Sequence, residues 1–167
     1  MQKAWLALVT FIILLLTFSS FKTVKETIIS GKVTSITDGD TFKLLQKDST
    51  LIRVRLANID CPERKQPFSQ SAKQFASDAV FGKNIEIVVL NKDRYGRYIA
   101  NVIYDGDKNL SKELLKAGYA WHYVRYSNDS TLQDIEDKAR KNKIGLWSDP
   151  HSIAPWSWRS NKKKKAK

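Results

Sequence analysis

The chain is poor in the residues that would make several common designs possible. It has one cysteine, Cys61, so no intramolecular disulfide can form and the fold rests on its core or on bound ligands. With only two histidines, His122 and His151, beside that cysteine, a structural zinc site is excluded. Both histidines are read as surface or packing residues. Acid is also scarce: 17 Asp and Glu stand against 29 Lys and Arg, a formal net charge of +12. Such an excess calls for a polyanionic partner, either nucleic acid or an anionic membrane surface. No apolar run reaches the ~20 residues of a spanning helix. Internal repeats and internal linkers are missing too.

What is present begins with Met1-Gln2-Lys3, an apolar run from Ala4 to Phe18, and Ser19-Ser20. A basic start followed by a short apolar segment is the pattern of a secretory leader. No Ala-x-Ala cleavage site follows and no cysteine is there for lipid attachment. Residues 1–20 are therefore read as a signal peptide or an N-terminal membrane anchor, and the expected location is secreted or periplasmic. Residues 25–150 read as one domain, within a length of 167 residues that allows a single core. Residues 151–167 read as an aromatic and lysine-rich tail. Arg159, Lys162, Lys163, Lys164, Lys165 and Lys167 follow Trp158 with no acid among them, and the expectation is a flexible, solvated run.

Within the domain, Ile28, Val33, Ile36, Phe42, Leu44, Val54 and Leu56 recur mostly at even spacing, which predicts three strands in a meander. Asp38-Gly39 predicts a two-residue hairpin between the first two, and Lys47-Asp48-Ser49 a second turn. From Phe68 to Phe81 the apolar period becomes helical, with Pro67 in the first turn and Gly82 at the end. Strand character returns over 84–90 and 98–104, separated by Asp93-Arg94-Tyr95-Gly96. A short helix is predicted from Leu110 to Ala117, capped by Asn109 and stopped by Gly118. Another is predicted from Thr131 to Lys143, with Ser130 and Gln133 as a capping box. The fold class is α+β, mainly β. Three strands, a helix and two strands make the five-stranded barrel of an OB-fold, here with three helices. Trp121, Trp147, Trp156 and Trp158 are read as packing residues.

Three segments concentrate the residues that could do chemistry. Asp40 follows the Asp38-Gly39 turn, Asp60 and Glu63 close the segment that begins at Arg55, and Arg94 and Arg97 lie in Asp93-Arg94-Tyr95-Gly96-Arg97. Asp40, Asp60 and Glu63 are hard oxygen donors with no sulfur or imidazole set nearby, which favours Ca²⁺ or Mg²⁺. Arginine forks match phosphate oxygens. Attack of water on a phosphodiester builds about two negative charges, and a carboxylate-held ion with two arginines opposes them. Taken singly, Asp38-Gly39 is more often just a turn, Arg55 with the acids after it more often a surface ion pair, and Asp93-Arg94-Tyr95-Gly96-Arg97 could be a solvated hairpin loop.

In combination they resemble the staphylococcal nuclease (thermonuclease) family over about residues 27–147. The matching motifs are Asp38-Gly39-Asp40-Thr41, Arg55-Leu56 ahead of Asp60-Cys61-Pro62-Glu63, Asp93-Arg94-Tyr95-Gly96-Arg97, Gly118-Tyr119-Ala120 and Gly145-Leu146-Trp147. Pro155-Trp156-Ser157-Trp158-Arg159 resembles the end of exported bacterial members. The resemblance implies a Ca²⁺-dependent nuclease acting on DNA and RNA without regard to the sugar and leaving 3′-phosphorylated products. It implies that Asp40 and Asp60 bind Ca²⁺ with the backbone carbonyl at Cys61. Glu63 would activate or orient water, and Arg55 and Arg97 would stabilise the phosphorane. Arg94, Tyr95, Tyr123 and Tyr126 would contact further phosphates or stack a base. A monomer and a preference for single strands are expected. Loss of Glu63, Arg55 or Arg97 is expected to cost orders of magnitude in rate while leaving the fold intact.

The family pattern often has Thr or Ala where this chain has Cys61, which only a backbone ligand tolerates; a redox switch is the competing reading there. Phe42 replaces an aliphatic residue, and the loop from Arg64 to Gln70 is short. Two other functions remain open at this level: an OB-fold that binds nucleic acid without cutting it, and a membrane-surface protein held by the leader and the lysines.

Overall fold

The structure is a computed structural model that describes residues 26–165; the expected leader lies outside those residues. Strands β1 (Thr27–Ile36), β2 (Thr41–Leu45) and β3 (Leu51–Leu56) form the expected antiparallel meander. After the short β4 (Ile59–Asp60) and helix α1 (Ser69–Val80) come β5 (Asn84–Lys92) and β6 (Tyr98–Tyr104). The sheet order is β3-β2-β1-β5-β6, with a two-residue strand, β7 (Lys108–Asn109), added antiparallel to the end of β6, and a parallel pairing of β3 with β6 closes the first five into a barrel. Closure removes both sheet edges, the reason such barrels are stable at this size.

Alternation decides which residues fill the barrel. Phe42 and Leu44 of β2, Ile52, Val54 and Leu56 of β3, Ile85 and Ile87 of β5, and Ala100 and Val102 of β6 are all buried. The same alternation turns Thr41, Arg53 and Arg55 to the other face. Helix α1 lies close because its inner stripe is mostly Ala72, Ala76 and Ala79. Its entry differs from expectation: Phe68, not Pro67, makes the turn, as an N-cap with φ 65°.

The remainder is β7 (Lys108–Asn109), α2 (Leu110–Lys116), β8 (Trp121–His122), α3 (Ser130–Lys141), a 3₁₀ turn (Gly145–Ser148) and α4 (Pro155–Lys165). Asn109 caps α2 as expected, accepting from the Lys112 N–H. Gly118 ends that helix region with φ +66°, and a Cβ there would stand 2.2 Å from the Ile144 carbonyl oxygen. The capping box expected at Ser130 does not form. Asp129 is the cap, accepting from both N–H and hydroxyl of Thr131, because Gln133 is drawn to Asp137 and His122 instead.

The larger correction concerns the C-terminus. Over Pro155–Lys165 the chain is helical, so the described residues contain a fourth α-helix where a solvated tail was expected. Trp156 packs edge-on to Trp121, 5.7 Å between centroids, and stacks on Tyr123 at 5.2 Å and 3°. Trp158 lines a cleft of about 170 Å³ with Gln66, Phe68 and Ile153. Aromatic burial, rather than the lysines, settles where this segment goes. His122 is buried, its Nδ1 3.0 Å from the Gln133 side-chain oxygen, in agreement with a packing role. No described helix is long and apolar enough to cross a membrane.

Candidate active site

The pairing of β2 with β3 brings the first two candidates together. Thr41 faces Arg55 across the ladder, and the Leu56 N–H donates to the Asp40 carbonyl at 2.8 Å. The expected two-residue hairpin is a four-residue connection, Thr37 to Asp40, closed by Thr37 and Asp38 N–H groups on the Thr41 carbonyl. Gly39 serves close approach here. A Cβ on it would meet Ala72 Cβ at 2.8 Å and Cys61 Cβ at 2.9 Å. The missing side chain lets the loop settle onto α1 and the strand end, which places Asp40.

Beyond Leu56 the chain bends through Ala57 and Asn58 (φ 66°) into β4, whose Asp60 pairs with Trp121 of β8. Arg55 stitches this bend together. Its Nη1 donates to the Leu56 carbonyl at 3.0 Å and the Ile59 carbonyl at 3.1 Å. Its Nη2 lies 2.8 Å from Asp60 Oδ1 and 3.3 Å from Asp40 Oδ2. Asp40 also accepts from the Thr41 hydroxyl and the Cys61 N–H. Asp60 is 1% exposed and Asp40 6%. Burial pushes the Asp60 pKa up, a rise opposed by its hydrogen bond from Arg159. Burial alone would lower the Arg55 pKa, but Asp40 and Asp60 raise it above its ordinary value. Asp38, half-buried beside Asp40, is pushed up to about 7 by burial and then by the Asp40 charge.

Cys61 is buried, and burial followed by the neighbouring Asp40 and Asp38 charges drives its thiol well above the usual range. Burial of the thiol among apolar neighbours and beside two acids favours the packing reading of Cys61 over the redox-switch reading. Glu63 follows in a turn held by the buried Gln66, whose side-chain oxygen accepts from the Glu63 N–H at 3.0 Å and whose amide donates to the Ile153 carbonyl.

Composition and spacing did not single out Arg159. From α4 it reaches over Asp60 and Glu63: Nη2 is 2.8 Å from Asp60 Oδ2, and Nη1 donates to Asp60 Oδ1 at 3.3 Å and to Glu63 Oε1. Burial would lower its pKa, yet the hydrogen bonds to the two acids raise it. The signal available beforehand was the Pro-Trp-Ser-Trp-Arg stretch, read as packing and as tail charge.

Asp40, Arg55, Asp60 and Glu63 thus share one network, Glu63 joining through Arg159. Arg97 takes its described contacts elsewhere. Its Nε donates to Asp93 Oδ2 at 2.8 Å and its backbone N–H to Asp93 Oδ1. Arg94 and Arg97 guanidinium groups lie 4.8 and 5.7 Å from the Tyr95 ring. Arg94, Tyr95 and Arg97 form a separate cluster before β6. Tyr123 and Tyr126 are edge-on at 4.8 Å just after β8, and the Tyr123 N–H donates to the Asn58 carbonyl, so they flank the Asp60 side.

Among the described residues no group of three His, Cys, Asp or Glu side chains stands close enough to hold a metal ion. The Cys61 N–H, not its carbonyl, touches Asp40. The donor chemistry nevertheless fits a hard divalent cation: two buried carboxylates, Asp40 and Asp60, and a third acid, Asp38, beside Asp40, whose pKa is raised first by burial and then by the Asp40 charge. Asp40 and Asp60 are the side chains that would hold it.

Residues 53–149 match the family described as staphylococcal nuclease homologue. The chain belongs to the staphylococcal nuclease family. It is 42% identical over 132 residues to an uncharacterized endonuclease of Haemophilus influenzae, covering 79% of this chain and 74% of that protein. It is 38% identical over 139 residues to a micrococcal nuclease of Shigella flexneri, 77% of this chain and 79% of that one. A staphylococcal-like nuclease, CAN1, of Arabidopsis thaliana is 39% identical over 111 residues, 66% of this chain but 34% of the plant protein. This staphylococcal nuclease family member is a nuclease, a hydrolase on a five-stranded barrel. The binding-only alternative falls with that assignment.

Proposed function

We propose that the chain is a Ca²⁺-dependent, sugar-nonspecific endonuclease that hydrolyses DNA and RNA to 3′-phosphorylated products, with single strands as preferred substrate. The carrying observation is Arg55 Nη2, poised between Asp40 and Asp60 at 3.3 and 2.8 Å. Two buried acids held against one arginine are costly as packing alone, and a site that must meet phosphate charge accounts for that cost. Asp40, Asp60 and the Cys61 carbonyl are the candidate ligands. A bound Ca²⁺ would contribute positive charge against the charge that develops on the phosphorane.

In this reading Arg55 faces one nonbridging phosphate oxygen from a fixed position, since its other nitrogen is tied to two carbonyls. Glu63 orients the attacking water or takes its proton. Arg97 stabilises the phosphorane from the neighbouring loop, and Arg94, Tyr95, Tyr123 and Tyr126 hold the flanking nucleotides. The exposed aromatic edges suit splayed bases better than a stiff duplex. The enzyme acts as a monomer, exported from a bacterial cell and either secreted or periplasmic, or retained by its N-terminal segment.

The test is incubation of the purified chain with denatured DNA and with RNA, in Ca²⁺ or in chelator, with identification of product ends. Cleavage of both polymers only with Ca²⁺, leaving 3′-phosphates, is expected. Undiminished cleavage in chelator, or 5′-phosphate ends, would overturn the reading.

A further inference from the structure

Arg159 stands where a cation is wanted. It bridges Asp60 and Glu63 with both terminal nitrogens, and each Asp60 oxygen has a guanidinium nitrogen at 2.8 Å. An oxygen-coordinated Ca²⁺ requires those same lone pairs at about 2.3–2.6 Å. Of the roughly four lone-pair sites on Asp60, Arg55 takes one and Arg159 two, so a Ca²⁺ there competes directly with Arg159. Charge gives the same answer. Three carboxylates, Asp40, Asp60 and Glu63, face two guanidinium groups, leaving one net negative charge. Among these five groups, exchange of Arg159 for a doubly charged ion adds one positive charge, whereas adding the ion with Arg159 in place adds two.

The anchoring of α4 allows such an exchange. Trp156 and Trp158 hold its first turn through aromatic packing that does not depend on the carboxylates. The Arg159 side chain is 37% exposed, so its long stem has solvent to swing into, while Arg55, at 13%, does not.

Resting on the Ca²⁺ reading of this site, we propose that Arg159 is a built-in counter-cation that occupies the Asp60–Glu63 seat until a divalent ion displaces it. It neutralises the buried Asp60 and the half-exposed Glu63 in the ion-free enzyme, and the cost of its displacement sets the ion concentration at which the site fills. The apparent affinity is lowered by the fraction of molecules in which Arg159 is docked.

The test is calorimetric titration of CaCl₂ into the full chain without nucleic acid, for wild type, Arg159→Lys and Arg159→Ala. Arg159→Ala is expected to bind Ca²⁺ about ten-fold or more tightly than wild type, because an empty cluster attracts the ion without a competitor. Arg159→Lys, which keeps the charge but loses the two-nitrogen fork, falls between them. Should the alanine protein fail to fold by circular dichroism, Arg159→Met, which keeps an unbranched stem, carries the same expectation. Equal or weaker Ca²⁺ binding by the neutral variant overturns the exchange and leaves the Ca²⁺ reading standing. Absence of Ca²⁺ binding in every protein overturns both.

Discussion

Arg55 and Arg97 carry the same charge and the same proposed task, but they are held in opposite ways. Arg55 is gripped by four partners drawn from three segments: the Leu56 and Ile59 carbonyls and the Asp40 and Asp60 carboxylates. Arg97 is held by Asp93, four residues away in its own loop. The first belongs to the tertiary structure, so its removal injures the fold as well as the chemistry. The second is a local device on a half-exposed loop, which can change without disturbing the barrel. Preorganisation therefore rests mainly on the β2–β3–β4 side, and the Asp93–Arg97 side retains room to adjust to substrate.

The largest effects should fall on turnover. Glu63→Gln and Arg97→Ala are each expected to lower kcat by about 10²–10³-fold or more while leaving the melting temperature close to wild type, as steady-state rates and thermal unfolding would reveal. If Arg97→Ala melted as low as Arg55→Ala, the contrast between the two arginines would be broken. Arg55→Ala should lose activity at least as far and also about 3–5 kcal/mol of stability, because Asp40 and Asp60 are left buried without their cation. This revises the expectation from sequence that the variant keeps its fold intact; denaturant titration decides it. Gly39→Ala should cost about 1–3 kcal/mol, since its Cβ would press on Ala72 and Cys61, and should reduce activity by displacing Asp40. The smallest effect belongs to Asp93→Asn. It weakens the grip on Arg97 and should raise KM several-fold with little change in stability, and an unchanged KM would show that Asp93 does not position the loop.

Much of the site was legible because its residues sit in short segments whose local geometry is dictated by neighbours. Asp38-Gly39-Asp40-Thr41 had to turn, and Asp93-Arg94-Tyr95-Gly96-Arg97 had to form a charged loop. The capping of α3 was misread between adjacent residues, Ser130 and Asp129, since both are good caps and only the pull of His122 and Asp137 on Gln133 breaks the tie. Gly39 was read as a turn glycine, whereas the crowding that requires it comes from α1 and the Cys61 segment.

Periodicity, turn residues and the order of charged motifs were enough to determine a five-stranded barrel, its family and four acids and arginines that meet on it, because each depends on residues near one another along the chain. The place of Arg159 depended on contacts 96 and 99 residues away in sequence, to Glu63 and Asp60. A lysine-rich end reads as solvated whenever its charges are counted alone. Only the folded surface, with Trp121 and Tyr123 ready to receive Trp156, could turn that end into a helix and lay its first cation on the buried acids.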